Sequence, residues 1–469
     1  MKENRRSTEA GWRQARYHFV GVAGTGMSAL AQAVLHRGVQ VTGSDRYCDR
    51  GEELEVVTKL RRCGVRFFPQ DGSGVSSATT SVVVSTAIEA DNADLAAAKA
   101  LGIPVVHRAE LLARVAAEKT CIAITGTSGK STVAGMIGWV LEQLGEAPEV
   151  VNGAPVLNWV TSVRIGNFRG GAGRFCVVEA DESDRSLLQL RPDWAVITNV
   201  SKDHFDLDTA RGVFDEFRAR VRSETIGPVN SEFLRSACFH PETSGAESRF
   251  QYKGVTFCVA LPGLHNAENG LLAAMLCERL GFSLGETSLA LRSFRGIQRR
   301  LEFVGVAGGV TVVDDYAHNP AKIRACWSAL SEDAPRILAV WRPHGFRPLA
   351  LMMEELAVVF GEICRPDDRL MILPVYDAGG TADRTVRSEM LVEKLRTRGV
   401  IASSVAGYSE ALEAVLETAR SGDTVVVMGA RDPGLPHLAR TILKALEARG
   451  QTGGGPVRHG HGRGGPGLR

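Results

Sequence analysis

A glycine-rich loop in the first third of the chain places the strongest constraint on its fold. The segment Thr120–Thr125, with its apolar run 121–124, is typical of a buried strand, and it is followed by Gly126-Thr127-Ser128-Gly129-Lys130-Ser131-Thr132. This ending is that of a phosphate-binding loop, in which amides surround phosphate oxygens, the lysine neutralises their charge and the hydroxyl is available to Mg²⁺. A turn without a ligand is the alternative, and Ile124 stands where the full ATPase pattern has glycine. The loop therefore predicts a nucleotide-binding α/β unit whose match to the generic ATPase pattern is imperfect.

A second glycine turn lies near the start of the chain. The predicted strand 17–20 runs into Gly21-Val22-Ala23-Gly24-Thr25-Gly26-Met27-Ser28-Ala29, which satisfies the G-x-G-x-x-A form of the dinucleotide fingerprint. Asp45 follows the next strand about 20 residues later, where an acidic residue commonly meets a ribose hydroxyl. These residues alone leave NAD as a serious candidate ligand and a turn without a ligand as the alternative.

Strands and helices alternate along most of the chain. Strand patterns recur at 17–20, 39–42, 81–85, 120–125, 175–179, 194–199, 310–314, 336–341, 369–373, 401–405 and 423–428. We therefore expect the α/β fold class with three domains: a Rossmann-like domain over 14–117, a P-loop ATPase-like domain over 118–300 and a second Rossmann-like domain over 301–450. The tail 451–469 is rich in glycine, histidine and arginine, so we expect it to be disordered.

Composition limits the classes of partner. Lys and Arg total 55 and Asp and Glu total 53, so the net charge of +2 offers no general basic field for nucleic acid or an anionic membrane. The nine cysteines include no Cys-x-x-Cys pair, which argues against a disulfide framework or a zinc knuckle. No run approaches the roughly 18 apolar residues of a membrane span, and the polar start lacks the apolar core of a signal peptide. We therefore expect a cytoplasmic protein with no nucleic-acid or membrane partner.

Three motifs together resemble the Mur ligase family, the ATP-dependent amide-forming enzymes of peptidoglycan synthesis. The loop 125–131 fits the family's T-G-T-x-G-K-[ST], the segment 18–28 is similar to its opening signature, and the acidic run 179–184 is similar to its E-A-D-E-S-D motif. The likeness extends over residues 16–450. It implies a ligase that uses ATP and Mg²⁺ to join the lactyl carboxylate of UDP-N-acetylmuramate to an amino acid, foremost L-alanine, through an acyl phosphate.

The resemblance reassigns the first glycine turn from NAD to the diphosphate and uridine of a UDP-sugar. The residues implied for this site are Gly24, Thr25, Gly26, Met27, Ser28, Asp45, Ser85 and Arg108. Arg108 also has an independent reason to matter, because a guanidinium binds phosphate well. A solvated arginine at the start of a helix is the alternative.

Two residues just past predicted strand ends are candidate metal ligands. Glu179 follows the apolar strand 175–178, and His204 lies in the loop after the strand 194–199. With Ser131 they form the implied Mg²⁺ set. A surface loop histidine is the alternative for His204, and we expect the acidic residues at 181, 182 and 184 to be solvated or helix-capping.

The resemblance also implies contacts to ATP outside the phosphate loop. These are His265, Asn269, Arg300, Asp315 and Tyr316. The residues implied for catalysis are Lys130, His204, Arg300, His318 and His344. Without the resemblance, Arg300 would be a linker residue, and the segment 314–320 would be an ordinary turn.

Several segments depart from the pattern of the alanine-adding members. Residues 341–347 differ from their Q-P-H-R-Y-T-R but keep His344 and Arg347, and the segments 376–384 and 429–434 differ as well. Ser128 also replaces the usual histidine or asparagine. The amine substrate therefore stays open between an amino acid and a short peptide, the latter as in murein-tripeptide recycling ligases.

Two further functions remain as alternatives. The chain could be a nucleotide-sugar-binding paralogue with an impaired catalytic centre, because Ser128 and Arg431 break the family pattern. An NAD-dependent dehydrogenase would leave Lys130 and Ser131 without a role. We expect the protein to be a monomer or a homodimer.

Overall fold

The computed structural model describes residues 12, 14–51, 54–201, 206–228, 241–244, 247–377 and 384–452. The chain divides into two compact units, Met1–Gln298 and Arg299–Arg469. Of the tail predicted over 451–469, residues 451 and 452 form the end of a helix, so that limit is wrong by two residues, and 453–469 lie outside the described residues. The domain limits 14–117, 118–300 and 301–450 are kept as a proposal.

The first sheet of the first unit has five parallel strands in the order β3-β2-β1-β4-β5. The strands are β1 Arg16–Val20, β2 Gln40–Ser44, β3 Arg66–Phe68, β4 Ser81–Val84 and β5 Val105–His107. The helices are α1 Thr25–Leu35, α2 Arg46–Asp49, α3 Glu55–Cys63, α4 Ala93–Ala100 and α5 Arg108–Ala116. The strand order reverses between β1 and β4, and the carboxyl ends of strands at such a switch point form a ligand crevice in open α/β sheets.

A second sheet in the same unit has six strands in the order β11-β10-β6-β9-β7-β8. The strands are β6 Thr120–Thr125, β7 Glu149–Val151, β8 Phe168–Arg169, β9 Phe175–Glu179, β10 Trp194–Ile197 and β11 Glu224–Ile226. The helices are α6 Lys130–Gln143, a 3₁₀ turn Ser186–Gln189 and α7 Leu207–Arg218. All neighbours are parallel except β7 and β8. The ends of β6, β9 and β10 therefore meet at one edge.

The first unit closes with a small antiparallel sheet and two helices. The sheet has the order β12-β13-β14, with strands β12 Glu242–Ser244, β13 Glu247–Tyr252 and β14 Val255–Val259. The helices are α8 Leu264–Arg279 and α9 Leu284–Arg292.

The second unit is built on a six-stranded sheet in the order β15-β16-β20-β17-β18-β19. The strands are β15 Glu302–Ala307, β16 Val310–Asp315, β17 Ile337–Arg342, β18 Arg369–Ile372, β19 Ala402–Ser404 and β20 Thr424–Gly429. The helices are α10 Pro320–Ser331, α11 Phe346–Ile363, α12 Ser388–Thr397, α13 Tyr408–Thr418 and α14 Leu435–Thr452. Only β15 runs antiparallel to its neighbour, so the loops after β16, β20 and β17 lie side by side.

The apolar strands explain these layers. Central strands of parallel sheets are covered by helices on both faces, so they read as continuous apolar runs, as in Ile122 and Ile124 of β6. One buried cluster contains Phe19 and Val83 of the first sheet and Val178 of the second. This shared core is the physical reason why the first two sheets form one unit. The α/β expectation is confirmed.

None of the helices in the described ranges combines the length and the apolarity needed to cross a membrane.

Candidate active site

The phosphate loop leaves the end of β6 in a conformation that requires glycine. Gly126 has φ 129°, and a Cβ there would stand 2.1 Å from Thr198 Oγ1. Gly129 has φ 84° and caps α6, and a Cβ there would stand 2.7 Å from Asn269 Oδ1. The loop therefore approaches β10 on one side and α8 on the other. The amino end of α6 points its free amides into this space.

Residues at the end of β10 hold the phosphate loop in place. Thr127 N donates to Asn199 O at 3.1 Å, and Ser128 N donates to Asn199 Oδ1 at 3.0 Å. Thr198 Oγ1 and Asn199 Nδ2 both donate to Ser128 O. The backbone of the loop is thus fixed before any ligand arrives, which is the arrangement that makes a helix terminus an effective anion site.

Lys130 is paired with a carboxylate that the sequence assigned to solvent. Its Nζ donates to Gly126 O at 2.8 Å and to Glu182 Oε2 at 2.7 Å. The Glu182 side chain is only 5% exposed, and its Oε1 has no hydrogen-bond partner among the described residues. Burial raises the pKa of Glu182, and the Lys130 charge opposes that rise. The expectation of a solvated or capping Glu182 is therefore wrong.

Glu179 and Ser131 are connected through one short loop. Asn152 Nδ2 donates to Ser131 O at 3.1 Å, and the next residue, Gly153, donates its N–H to Glu179 Oε2 at 2.8 Å. A Cβ on Gly153 would stand 2.4 Å from that oxygen. Where β9 pairs with β6, Glu179 lies beside Ile124, just before the phosphate loop. The predicted metal pair thus lies at one sheet edge.

The first glycine turn is shaped by Asp45. Its Oδ2 accepts from Ala23 N at 2.9 Å, and its Oδ1 accepts from Tyr47 N at 3.1 Å. Burial raises the pKa of Asp45, and these two amide donors oppose the rise. Gly24 and Thr25 are exposed at the start of α1. Asp45 therefore holds the turn that presents them.

Ser28 and Met27 face the interior rather than the turn's open side. Both are buried, and the Ser28 hydroxyl accepts from Asn167 Nδ2 at 2.9 Å while donating to Thr25 O at 3.0 Å. Ser85, just after β4, accepts weakly from Ala87 N at 3.4 Å. Of the turn residues predicted for this site, those open to a ligand are thus Gly24, Thr25 and the half-buried Gly26.

Arg108 connects the glycine turn to the acidic run. A Cβ on Gly26 would stand 3.4 Å from its Nη1. Its Nη2 lies 3.2 Å from Asp181 Oδ2 and 3.6 Å from Asp184 Oδ2. The expectation of solvated or capping aspartates is therefore only partly right: Asp181 Oδ1 accepts from Ser183 N and Asp184 Oδ1 accepts from Ser186 N, but each side chain also pairs with Arg108 across two sheets.

In the second unit, the ends of β16 and β17 gather the predicted aromatic and histidine residues. Asp315 is buried and accepts from Leu301 N at 2.6 Å and from Ala317 N at 2.7 Å. The guanidinium of Arg300 lies 5.4 Å from the centre of the Tyr316 ring. His318 meets Tyr316 edge-on at 5.5 Å between ring centres. Asp315 thus fixes the backbone on both sides of this group.

His318 and His344 form an edge-to-face pair with ring centres 4.7 Å apart. Burial lowers the pKa of His318 to about 3, and burial together with the charges of Arg431 and Lys322 lowers the pKa of His344 to about 4. Both rings are therefore neutral at pH 7. Because Nδ1 of His318 lies 2.8 Å from the carbonyl of Tyr316, it carries the hydrogen, and Nε2 is an acceptor.

Of the remaining predicted residues, two lie on α8 and one lies outside the described part of the chain. Asn269 is buried against the phosphate loop, and His265 lies exposed in the first turn of α8. His204 lies outside the described residues. Among the described residues, no group of three or more His, Cys, Asp or Glu forms a ready-made metal cage.

Sequence reasoning missed a network at the end of β20. Arg342 Nη1 donates to Asp432 Oδ2 at 2.6 Å and to Tyr408 Oη at 2.9 Å, and Tyr408 Oη donates to Asp432 Oδ2 at 2.5 Å. These residues lie far apart in the sequence. The one available signal was that Arg342 and Asp432 lie within the segments 341–347 and 429–434, which differ from the pattern of the alanine-adding members.

Family models match all three parts of the chain. A model described as "Mur ligase family, catalytic domain" matches residues 16–120, "Mur ligase middle domain" matches 124–219, and "Mur ligase, glutamate ligase domain" matches 299–431. These matches cover the glycine turn, the phosphate loop and the histidine pair.

Individual relatives agree with the family models. A UDP-N-acetylmuramate–L-alanine ligase from Synechococcus sp. is 34% identical, over 93% of this chain and 94% of its own length. Two solved structures share the fold. The UDP-N-acetylmuramate-alanine ligase of Thermotoga maritima has a TM-score of 0.77 and 24% identity, and the match covers 92% of this chain and 99% of that one. A murein peptide ligase of Psychrobacter arcticus has a TM-score of 0.63 and 21% identity with the same coverage. The chain therefore belongs to the Mur ligase family of ATP-dependent ligases.

Proposed function

We propose that the protein joins L-alanine to the lactyl carboxylate of UDP-N-acetylmuramate, with cleavage of ATP to ADP and phosphate. The carboxylate oxygen attacks the γ-phosphorus, ADP leaves, and the acyl phosphate is then attacked by the amine, which releases phosphate. The observation that supports this most is the presence of two phosphate-type turns in one compact unit, joined by Arg108 and the acidic run. One turn would take the UDP diphosphate and the other the ATP phosphates.

Lys130 would stabilise the transferring phosphoryl group. In the structure its ammonium is held by Glu182, whose buried carboxylate has the charge that an ATP phosphate would supply. When ATP is bound, Lys130 would contact the phosphates while Glu182 keeps the ammonium oriented. A preorganised charge of this kind is worth about 10²-fold or more in rate.

The residues around the phosphate loop fit Mg²⁺. This ion is commonly bound by one or two carboxylates together with substrate phosphates, so it needs no all-protein cage. Glu179 has one oxygen held by Gly153 N, and no described residue donates to the other. Ser131 and Glu179 would hold the ion, with His204 as the proposed ligand of a second one. Bound with ATP, Mg²⁺ would neutralise charge on the β- and γ-phosphates.

We assign the UDP-sugar to the crevice at the ends of β1 and β4. The amides at Gly24, Thr25 and Gly26 and the guanidinium of Arg108 would bind the diphosphate. Asp45 would act by holding the turn, because both of its oxygens already accept amides. Met27, Ser28 and Ser85 would support the same site.

The histidine pair would orient the incoming amine. A group with a pKa of about 3 is too weak a base to hold a proton at neutral pH, so His318 would serve as a hydrogen-bond acceptor for the amine. His344 lies against it and fixes its ring. The proposed contacts to ATP outside the phosphate loop are those of Arg300, Asp315, Tyr316, Asn269 and His265.

Phosphate release tests the proposal. Purified protein is mixed with ATP, Mg²⁺ and UDP-N-acetylmuramate, and the twenty amino acids and L-alanyl-γ-D-glutamyl-diaminopimelate are added singly. We expect release with L-alanine and little with the tripeptide. Release with the tripeptide alone would replace the proposal with a murein peptide ligase, and no release with any amine would refute both.

A further inference from the structure

The carboxyl edge of the second unit's sheet carries more positive charge than its own carboxylates neutralise. Asp432 is engaged by Arg342 and Tyr408, and Asp314 accepts from Arg299 Nε at 3.3 Å. Asp315 has both oxygens on backbone amides. Each of these three carboxylates thus already has a partner within the described part of the unit, and only Oδ2 of the buried Asp314 is left without one there.

Arg431 is a cation at this edge without a carboxylate partner among the described residues. Its side chain is exposed, while its backbone N–H donates to Tyr316 Oη at 3.2 Å. Its charge is close enough to His344 to help lower that pKa. The backbone of Arg431, in the loop after β20, therefore lies beside Tyr316, the ring that contacts His318.

The backbone at Arg431 is strained for a residue with a side chain. Its φ of 65° lies in the left-handed region, which glycine adopts readily and which the Cβ of arginine disfavours. The neighbours keep it there: Arg299 Nη2 donates to Gly429 O at 2.7 Å, and Gly434 N donates to Asp432 Oδ1 at 2.9 Å. A strained residue at a site edge is a reason to look for a function of its side chain.

The chemistry of this sheet edge favours a small anion with a neutral amine. The two histidines are uncharged at neutral pH, and the carboxylates of Asp315 and Asp432 are already engaged, by backbone amides and by Arg342 with Tyr408. A nearby cation stabilises a carboxylate and disfavours protonation of an amine. An amino acid bound here would therefore present its free amine, the form that attacks an acyl phosphate.

We propose that Arg431 binds the α-carboxylate of the incoming amino acid and thereby selects the amine substrate of this enzyme. The inference rests on the proposed ligase function and deepens it, because it names the residue that recognises the second substrate. Arg431 would make a charge-assisted hydrogen bond to the carboxylate while His318 accepts from the amine. The space beside His344 would then limit the size of the amino acid's side chain.

The test compares two variants of Arg431 with a matched control. Arg431→Gly removes the guanidinium and relieves the left-handed strain, so the variant should melt at or above the temperature of the unmodified protein. Arg431→Lys keeps the charge but loses the planar fork. Arg398→Ala removes an exposed arginine at the end of α12 and controls for the change in net charge.

We expect Arg431→Gly to raise the KM for L-alanine by about 10- to 100-fold, the range for a hydrogen bond to a charged group, with smaller changes in kcat. The KM values for ATP and UDP-N-acetylmuramate should stay within about two-fold. L-Alaninamide, which has the amine but no carboxylate, should be used equally poorly by both proteins. Arg431→Lys should be intermediate, and Arg398→Ala should behave as the unmodified protein.

The outcomes separate the two claims. An unchanged KM for L-alanine in Arg431→Gly would overturn the inference while leaving the ligase function in place. A raised KM for ATP instead would assign Arg431 to the nucleotide and overturn it as well. Absence of phosphate release in the unmodified protein with every amino acid would overturn both the function and the inference.

Discussion

Replacing Lys130 by alanine should cost stability as well as activity. The Glu182 carboxylate is 5% exposed, and Lys130 is its cation at 2.7 Å. Removing one partner of a buried pair typically costs about 3 kcal/mol or more, because the other charge stays buried. For a unit of this size about 2 °C is lost per kcal/mol, which predicts a fall of roughly 6 °C in melting temperature at neutral pH.

The pH dependence of this loss identifies its cause. The pKa of Glu182 is raised by burial above its unfolded value of 4.5, so the group favours folding when protonated. Its stability contribution is complete below the unfolded pKa and is lost as the pH rises through the folded pKa. Lys130→Ala raises the folded pKa further. The variant should therefore lose little stability near pH 4.5 and progressively more toward pH 8.

Differential scanning fluorimetry from pH 4.5 to 8, with phosphate release at pH 7.5, measures both effects. The double variant Lys130→Ala/Glu182→Gln should recover most of the melting temperature but remain about 100-fold slower or worse, because the phosphate charge is still not neutralised. Equal melting curves for Lys130→Ala and the unmodified protein at every pH would refute this interpretation of the pair. Recovery of activity in the double variant would refute the assigned role of Lys130.

Three further predictions concern other parts of the site. Gly153→Ala should raise the Mg²⁺ concentration needed for half-maximal rate, because the added Cβ would lie 2.4 Å from Glu179 Oε2 and would force that carboxylate to move. The control Gly212→Ala adds a Cβ in open space and should leave the requirement unchanged. Equal Mg²⁺ requirements in the two variants would contradict the metal assignment. Arg108→Ala should weaken UDP-N-acetylmuramate binding by about 10-fold in calorimetry with ATP binding little changed, and the reverse pattern would move Arg108 to the other nucleotide. His344→Gln should lower kcat without moving the acid limb of the pH–rate profile above pH 5, because the pKa of His344 is about 4; an acid limb near pH 6.5 that disappears in the variant would contradict this.

The sequence predicts those parts of the site that depend on local backbone. Gly126 and Gly129 adopt positive φ values in a strand-to-helix turn, and the strand-to-helix pattern around them can be read from consecutive residues. The same holds for the end of β9, where the chain places Glu179 at the sheet edge. Local periodicity and the positions of the glycines were therefore enough to predict the α/β class and the two loops.

Contacts between distant segments could not be predicted in this way. Lys130 and Glu182 are 52 residues apart, so their pairing depends on which strands are neighbours in the second sheet. Arg108 and Asp181 are 73 residues apart, and their pairing depends on how two sheets pack. A run of acidic residues ordinarily predicts a solvated surface. Burial of Glu182 against a lysine reverses that expectation, because desolvation makes a charged partner necessary.

Isotope transfer tests the central claim most directly. UDP-N-acetylmuramate carrying ¹⁸O in its lactyl carboxylate is incubated with ATP, Mg²⁺ and L-alanine, and the phosphate and nucleotide products are analysed by mass spectrometry. Attack of the carboxylate on ATP followed by displacement with the amine predicts one ¹⁸O atom in each phosphate released and a product heavier by one alanine residue. Unlabelled phosphate, or label retained fully in the nucleotide sugar, would contradict the account.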